Sequence, residues 1–380
     1  MHVSVILLAI LVCACPLAAQ AAPQPGGAAP TLAEVRQGMG IPSIGEMRGQ
    51  QDTVGFASRP EQMAQVWRLS EAPPLPETFG TPPAPGVWGA ICPHDDYLFA
   101  GRVYRQVIPL ITAKTVLLVG VFHKYRKFGA KDRLVLDSYR SWRAPDGTIP
   151  VSALREEILK ALPPSDWQQD AASHDSEHSL EAIAYWLKHQ RADVEILPIL
   201  VPAASFERLQ ELAAHFSTAL AKAMRRQHLA LGKDVAVVIS SDGIHYGADF
   251  KHTPFGAGGV SAYQQAMAVD RNLLQGPLAG PLSTDKAYRF FSACVNPAKP
   301  DDYRLPWCGR FSIPFGMLLL KALAVDLGLP TPKGTPVAFG SSVDTPELPV
   351  KAFGLGATAP ANLYHFVSYP GVTYGAEAPH

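Results

Sequence analysis

Ala90-Ile91-Cys92-Pro93-His94-Asp95-Asp96-Tyr97 ends the first of four apolar runs that decide the fold. That run, residues 87–92, stops at Pro93, and apolar runs bounded by glycine or proline are typical of buried strands. The residues just past the carboxyl end of such a strand lie in the crevice where open α/β sheets form their sites. Here they are an imidazole, two carboxylates and a phenol. They indicate either a binding site or a polar loop with a solvated histidine.

The same arrangement recurs further along the chain. Predicted strands at 115–121 and 234–240 run into loops that carry His123 and His245, as the first strand runs into His94. The carboxyl ends of parallel strands lie at one edge of a sheet, so we expect these side chains to converge. Two imidazoles and one anionic ligand make an open metal site with room for substrate or oxygen.

The order of the predicted elements indicates an α/β fold. A further strong strand is predicted at 194–201, and helices are predicted at 101–110, 152–162, 180–190, 206–226, 261–274 and 313–327. Strands that alternate with helices favour a mostly parallel central sheet flanked by helices on both faces. No break in composition follows residue 86, so we expect a single domain.

The N-terminus has the features of a secretory signal peptide. Residues 1–21 contain no Lys, Arg, Asp or Glu, have an apolar core at 3–12, and end in Ala19-Gln20-Ala21. A Pro/Gly/Ala-rich spacer is predicted at 22–49 and the folded domain at 50–380. We therefore expect an exported protein, secreted or periplasmic, and no later segment has the length of a membrane span.

The charge balance limits the partners. Lys+Arg and Asp+Glu both number 33, so the formal charge is zero and no basic surface for nucleic acid is indicated. We expect a small-molecule substrate instead.

The third metal ligand has several candidates in the sequence, which are Asp95, Asp96, Asp242, Glu177 and Cys308. Cys308 lies at the start of a predicted helix beside Arg310, and both features favour a thiolate. Signal-peptide cleavage leaves Cys92, Cys294 and Cys308, so at least one thiol is unpaired. Cys308 can equally be a buried structural residue or a disulfide partner of Cys294.

The segment Ser240-Ser241-Asp242-Gly243-Ile244-His245 offers a proton-transfer group. Asp242 and His245 are spaced i, i+3, which places them on one face if a helical turn follows, so that Asp242 can orient the imidazole. The alternative is a helix cap followed by an exposed histidine.

A second polar segment, at 175–181, precedes a predicted helix. Glu177 and His178 are candidates for the pocket, whereas Glu181 is interpreted as a carboxylate that complements the helix dipole. The other histidines are expected at the surface, namely His174, His189, His215, His228, His252 and His365.

Taken in order, five short motifs resemble the Memo family (AmmeMemoRadiSam system protein B-like), whose fold is similar to the class III extradiol dioxygenases. Pro93-His94-Asp95-Asp96-Tyr97 is similar to the family's Pro-His-Ala-Gly-Tyr, and Gly120-Val121-Phe122-His123 to its Gly-Pro-Ser-His. Glu177-His178-Ser179-Leu180-Glu181, Ser240-Ser241-Asp242 with His245, and Cys308-Gly309-Arg310 match the other three. The resemblance covers most of residues 50–375.

The resemblance implies a site. It places the metal ligands at His94, His123 and Cys308, and the pocket residues at Asp242 and His245, with His245 as acid or base. A thiolate among the ligands makes Fe(II) and copper both suitable. This chain departs from the family at Asp95 and Asp96, which stand for Ala and Gly, at Lys124, and at Ile183, which replaces a family histidine. The substrate is therefore not carried over.

Three functions are compatible with this sequence. The first is an exported non-haem iron or copper oxidoreductase, related to the dioxygenases, that acts on a small molecule. The second is a periplasmic copper or iron protein that binds metal or carries electrons without turnover. The third is a metal-dependent hydrolase in which His245 activates a bound water. The first two differ in one requirement, since only an enzyme needs Asp242 and His245.

Overall fold

A computed structural model describes residues 28–72, 77–79 and 82–376. The predicted signal peptide, residues 1–21, lies outside this range. Within it the chain forms fifteen strands, β1 Met47–Arg48, β2 Gly89–Cys92, β3 Thr115–Val121, β4 Leu134–Leu136, β5 Ser141–Ala144, β6 Gly147–Pro150, β7 Trp167–Gln169, β8 Glu195–Val201, β9 Val235–Ser240, β10 His245–Gly247, β11 Gly280–Pro281, β12 Val295–Asn296, β13 Lys299–Tyr303, β14 Lys333–Ser341 and β15 His365–Gly375.

The described residues form ten α-helices, and two short 3₁₀ helices at Ile108–Leu110 and Lys351–Phe353. The α-helices are α1 Leu32–Gln37, α2 Pro60–Leu69, α3 Tyr97–Val107, α4 Leu154–Ala161, α5 Ala171–Asp175, α6 Glu181–Gln190, α7 Phe206–Arg226, α8 Val260–Gln275, α9 Thr284–Cys294 and α10 Ser312–Leu327. The helix predicted from residue 101 begins at Tyr97, because the chain turns into α3 directly after the loop that carries His94. None of the described helices is long and apolar enough to cross a membrane.

The large sheet has a parallel centre with antiparallel edges. Its path is β11-β14-β15-β2-β9-β3-β8-β4-β7, and β10 pairs with β15 outside that path. The four central strands, β2, β9, β3 and β8, are parallel, whereas β15 and β4 pair with them in the antiparallel sense. The predicted α/β fold with one large sheet flanked by helices is confirmed.

Helices cover both faces of this sheet, which is why its central strands are apolar along most of their length. A side chain at Gly89 of β2 would meet Leu320 of α10, whereas one at Gly371 of β15 would meet Val107 of α3. Thr373 pairs with Ala90, so Gly371 faces the side of the sheet opposite to Gly89. Helices α10 and α3 therefore lie on opposite faces, and the carboxyl ends of β2, β9 and β3 lie side by side at one edge.

The N-terminal segment packs onto the domain, and this changes the predicted boundary. Residues 31–50, placed in the spacer and at its border, contain α1 and β1, and β1 pairs in parallel with β5. Arg48 is fully buried and its Nη1 donates to Glu181 Oε1 at 2.6 Å. The ordered domain therefore begins well before residue 50, because a few buried polar contacts hold a segment whose composition resembles a linker.

Candidate metal centre

Three adjacent strands bring the candidate ligands to one edge of the sheet. His94 follows β2, Asp242 follows β9 and His123 follows β3. Cys308 approaches from the loop before α10, where the N–H of Gly309 donates to Ser241 Oγ at 2.9 Å. A side chain at position 309 would clash with Ser241, so glycine permits this close approach.

The donor atoms of these side chains lie close together. His123 Nε2 is 3.3 Å from Cys308 Sγ, and His245 Nε2 is 3.6 Å from the same sulfur. The donor atoms of His94, Asp242 and Cys308 lie within 4.8 Å of one another, and so do those of His94, His123 and His178. Every pair among His94, His123 and Cys308 is therefore within the reach of one shared ion.

The tautomer of His94 follows from its hydrogen bonds. Ser240 Oγ donates its single proton to the Ser179 carbonyl at 2.5 Å, and it lies 2.7 Å from His94 Nδ1. Since the hydroxyl proton is already used, Ser240 accepts from Nδ1–H. Neutral His94 thus presents its Nε2 lone pair to the centre, and burial together with His123 lowers the pKa of His94 well below its usual range.

His123 and His245 are oriented in the same sense. His123 Nδ1 lies 2.9 Å from Glu177 Oε1, a buried carboxylate that also accepts from the His123 N–H at 2.7 Å. His245 Nδ1 lies 3.1 Å from the carbonyl oxygens of Gly243 and Pro306, which can only accept. Both rings therefore carry the proton on Nδ1 and aim the Nε2 lone pair towards Cys308, as metal-binding histidines do.

Asp242 does not orient His245, contrary to the sequence prediction. The chain enters the short strand β10 at His245 instead of a helical turn, so the i, i+3 spacing does not place the two side chains together. Asp242 instead accepts from the His94 N–H through Oδ1 at 2.9 Å, and its Oδ2 lies 3.1 Å from His94 Nε2.

The contact between Asp242 Oδ2 and His94 Nε2 indicates that a cation can bind between these two side chains. A carboxylate oxygen facing an imidazole lone pair needs a positive particle between them. Burial, and then the neighbouring Asp95, raises the pKa of Asp242 well above its usual range, so a proton held by Asp242 can satisfy the pair. A metal ion can replace that proton, and the two nitrogens and the sulfur nearby suit a transition metal.

The surroundings of Cys308 favour its neutral thiol form. Burial raises the pKa of Cys308 well above its usual range, and Asp242 adds to the effect, whereas Arg310 opposes it only in part. Without a cation, desolvation and a nearby carboxyl group therefore favour the thiol of Cys308 over the expected thiolate, and Arg310 only partly offsets them. Cys92, Cys294 and Cys308 are all free thiols.

Asp95 and Asp96, two other candidate pocket residues, are hydrogen-bonded to groups outside the donor set. Asp95 accepts from Tyr369 OH at 2.8 Å, and Asp96 accepts from the Thr358 N–H at 2.6 Å, so both carboxyl groups are held by protein donors. Burial and then Asp95 raise the pKa of Asp96 to about 8.

Two further candidates donate to backbone carbonyls. Tyr97 is buried and donates to the Ala182 carbonyl at 3.0 Å. Arg310 donates to the Trp307 carbonyl and lies over the ring of Tyr303, at 4.7 Å from its centroid.

Glu181 lies in the first turn of α6, as expected of a carboxylate that complements the helix dipole, but it is also buried against Arg48 and accepts from the Gln51 N–H at 2.6 Å. Two expectations about histidines are wrong. His174 and His365, expected at the surface, are only 1% and 9% exposed. The sequence carries no local sign of these contacts, because each partner lies on a distant element or on the backbone.

His178 is a candidate metal ligand that the sequence did not predict as one. Assigned to the pocket only, it lies with His94 and His123 in a group of three imidazoles. Its place directly after Glu177, the carboxylate that holds His123, is the signal that would have singled it out.

This fold and donor set define an α/β protein with a candidate transition-metal centre at the carboxyl edge of its sheet. The family model "Memo-like protein" matches residues 75–346, so the chain belongs to the Memo-like family. It is 30% identical over 162 residues to a MEMO1 family protein of Methanosarcina barkeri, covering 42% of this chain and 55% of that protein. It is 28% identical over 180 residues to one of Thermococcus kodakarensis, covering 45% and 57%. The chain thus spans just over half the length of these relatives.

Proposed function

We propose that this protein is an exported, metal-dependent oxidoreductase of the non-haem type that acts on a small molecule. One observation carries the proposal, which is the convergence of the Nε2 lone pairs of His94, His123 and His245 on the thiol of Cys308. The one proton of the Cys308 thiol cannot serve both His123 and His245, so this set of lone pairs favours a cation.

His94, His123 and Cys308 are the proposed ligands of this cation. Two imidazoles and a sulfur are a borderline-to-soft donor set, which favours iron or copper over magnesium or calcium. The bound metal would supply redox chemistry and polarise a coordinated substrate. Ser240 and Glu177 keep the two imidazoles in the tautomer that binds metal.

His245 is the proposed acid or base. Its Nδ1–H is fixed by two carbonyl oxygens, so its Nε2 is the atom that takes up or releases a proton near the centre. Burial lowers the pKa of His245 to about 4, so the ring is neutral at pH 7 and is ready to accept a proton.

A substrate has a path to the centre. The side chains of His123 and His178 are 31% and 40% exposed, whereas that of His94 is 2% exposed. One side of the imidazole cluster therefore faces solvent and the other faces the core.

The test combines metal analysis with oxygen uptake. Protein purified from the periplasm, and protein reconstituted anaerobically with Fe(II) or Cu(I), is assayed for O₂ consumption over a panel of reducing small molecules. We expect about one metal per chain in the wild type, much less in Cys308→Ser, and metal retention without O₂ uptake in His245→Ala. Uptake no higher than that of the metal-free protein, in both the wild type and His245→Ala, would support a binding protein without turnover. Hydrolysis of ester substrates without O₂ uptake would support the hydrolase.

Export is tested separately, because the leader at residues 1–21 lies outside the described residues. The full chain is expressed in a Gram-negative host and fractionated, next to a variant with two arginines inserted into the apolar core at 3–12. We expect the wild type in the periplasm, shortened at its N-terminus, and the variant in the cytoplasm at full length.

A further inference from the structure

His178 occupies an unusual position beside the centre. Its ring is stacked on that of His123 at 9° with the centroids 5.0 Å apart, and it meets the ring of His94 edge-on at 5.8 Å. Phe56 lies on another side, with its centroid 6.2 Å away. Three imidazoles are thus packed together at the side of the centre that faces solvent.

The hydrogen bonding of His178 differs from that of its neighbours. His94, His123 and His245 each use Nδ1 in a hydrogen bond, which leaves one nitrogen for a ligand. Among the described residues, none makes a hydrogen bond to either ring nitrogen of His178, and the nearest carboxylate, Glu177, is 3.9 Å from Nδ1. His178 therefore has a ring nitrogen that no described protein group holds, and its ligand atom lies within 4.8 Å of those of His94 and His123.

We propose that His178 is a metal ligand, and that it forms an outer, all-imidazole donor set with His94 and His123. This set overlaps an inner, sulfur-containing set, which is the proposed ligand set of His94, His123 and Cys308, and the two share His94 and His123. The proposal depends on one part of the proposed function, namely that this centre binds a transition metal.

The two sets differ in the ions that they favour. A thiolate selects soft ions such as Cu(I), whereas three imidazoles suit borderline ions such as Cu(II), Ni(II) and Co(II). A borderline divalent ion therefore binds in the outer set without Cys308, and a soft ion binds in the inner set. The exposed position of His178 lets the outer set exchange its ion with solvent more readily than the inner one.

The experiment measures Co(II) and Ni(II) affinity in the full chain by competition with a chromophoric chelator. Cys308→Ser isolates the outer set, and Cys308→Ser with His178→Ala removes its third imidazole. We expect Cys308→Ser to keep one Ni(II) per chain, and the double variant to bind it at least about 100-fold more weakly. The matched control is Cys308→Ser with His215→Ala, which removes an exposed histidine on α7 and should leave affinity unchanged.

Counting the imidazoles bound to Cu(II) by spectroscopy distinguishes the loss of a ligand from a folding defect. Cu(II)-loaded wild type, His178→Ala and His178→Gln are compared by pulsed electron paramagnetic resonance, which counts coordinated imidazoles. We expect one imidazole fewer in both variants. Equal imidazole counts, or equal Ni(II) affinity in Cys308→Ser with and without His178, would overturn the proposal. Loss of all Ni(II) in Cys308→Ser would overturn it as well.

These outcomes are separate from failure of the proposed function. If His178 is not a ligand, the wild type can still bind iron or copper through His94, His123 and Cys308 and consume O₂. If the outer set exists but no substrate is turned over, the metal site stands and the oxidoreductase function fails.

Discussion

Asp242 Oδ2 lies 3.1 Å from His94 Nε2, and the hydrogen bond from His94 to Ser240 leaves that nitrogen without a proton of its own. A carboxyl proton or a metal ion must therefore occupy the space between the two atoms. Burial raises the pKa of Asp242 well above its usual range, which favours the proton when no metal is bound, so we expect metal binding to release a proton from this pair and metal affinity to rise with pH.

Asp242→Asn should block the metal without unfolding the protein. The amide oxygen must accept from the His94 N–H, so the amide nitrogen faces His94 Nε2 and donates to its lone pair. We expect metal affinity to fall at least about 100-fold, and the free energy of unfolding without metal to change by less than about 1 kcal/mol. The measurements are metal titration and urea denaturation in a chelator. Unchanged metal affinity would contradict this assignment of the two atoms.

Ser240→Ala tests the tautomer of His94. Without the hydroxyl, Nδ1–H loses its acceptor and the ring is free to exchange its proton between nitrogens. We expect metal affinity to fall about 10- to 100-fold, as for other residues that orient a ligand. Ser217→Ala is the control, because Ser217 is also buried but donates to Asp326 on α10, away from the centre. The same loss in both variants would indicate a general packing defect.

The sequence predicted the parts of this protein that depend on periodicity and chain order. Strands β2, β3, β8 and β9 are apolar along most of their length because helices cover both faces of the sheet, so short apolar runs locate them. The loops that follow parallel strands lie at the carboxyl edge of the sheet, so His94 and His123 were expected together at that edge.

The sequence did not predict contacts that depend on how the loops turn. Asp242 and His245 look like a pair on one helical face, but the chain extends at His245 and Asp242 meets His94 instead. Arg48 and Glu181 are 133 residues apart, and no local pattern links them. The thiol of Cys308 is adjacent to Arg310 in sequence, but the burial that determines its protonation belongs to the fold.

Arg48→Met should destabilise the domain strongly. The pair of Arg48 and Glu181 has no exposed side-chain surface, so removal of the cation leaves an uncompensated buried carboxylate. We expect a loss of about 3–5 kcal/mol in the free energy of unfolding. The matched control is Arg140→Met, because its pair with Glu46 is 77% and 70% exposed and should contribute less than about 1 kcal/mol. Urea denaturation of the two variants gives the comparison, and similar losses would show that Arg48 does not anchor the N-terminal segment.

His174 should make the protein sensitive to acid. Its Nε2 donates to the Val135 carbonyl at 3.0 Å, and burial lowers the pKa of His174 from 6.5 to about 3. Below pH 6.5 the unfolded chain binds a proton that the folded chain does not, so this residue destabilises the fold increasingly as the pH falls towards 3. The full effect corresponds to about 5 kcal/mol.

His174→Gln isolates this effect, since glutamine can donate to the same carbonyl but cannot take a charge. Burial also raises the pKa of Asp137 and Asp270, each to about 6, and these carboxyl groups favour folding in acid, so the wild-type curve alone mixes opposite contributions. The informative quantity is the difference in unfolding free energy between wild type and variant, measured by urea denaturation from pH 7 to pH 4. We expect it to shift steadily in favour of His174→Gln as the pH falls below 6.5. A difference that stays constant over this range would show that His174 takes up a proton in the folded protein as readily as in the unfolded chain.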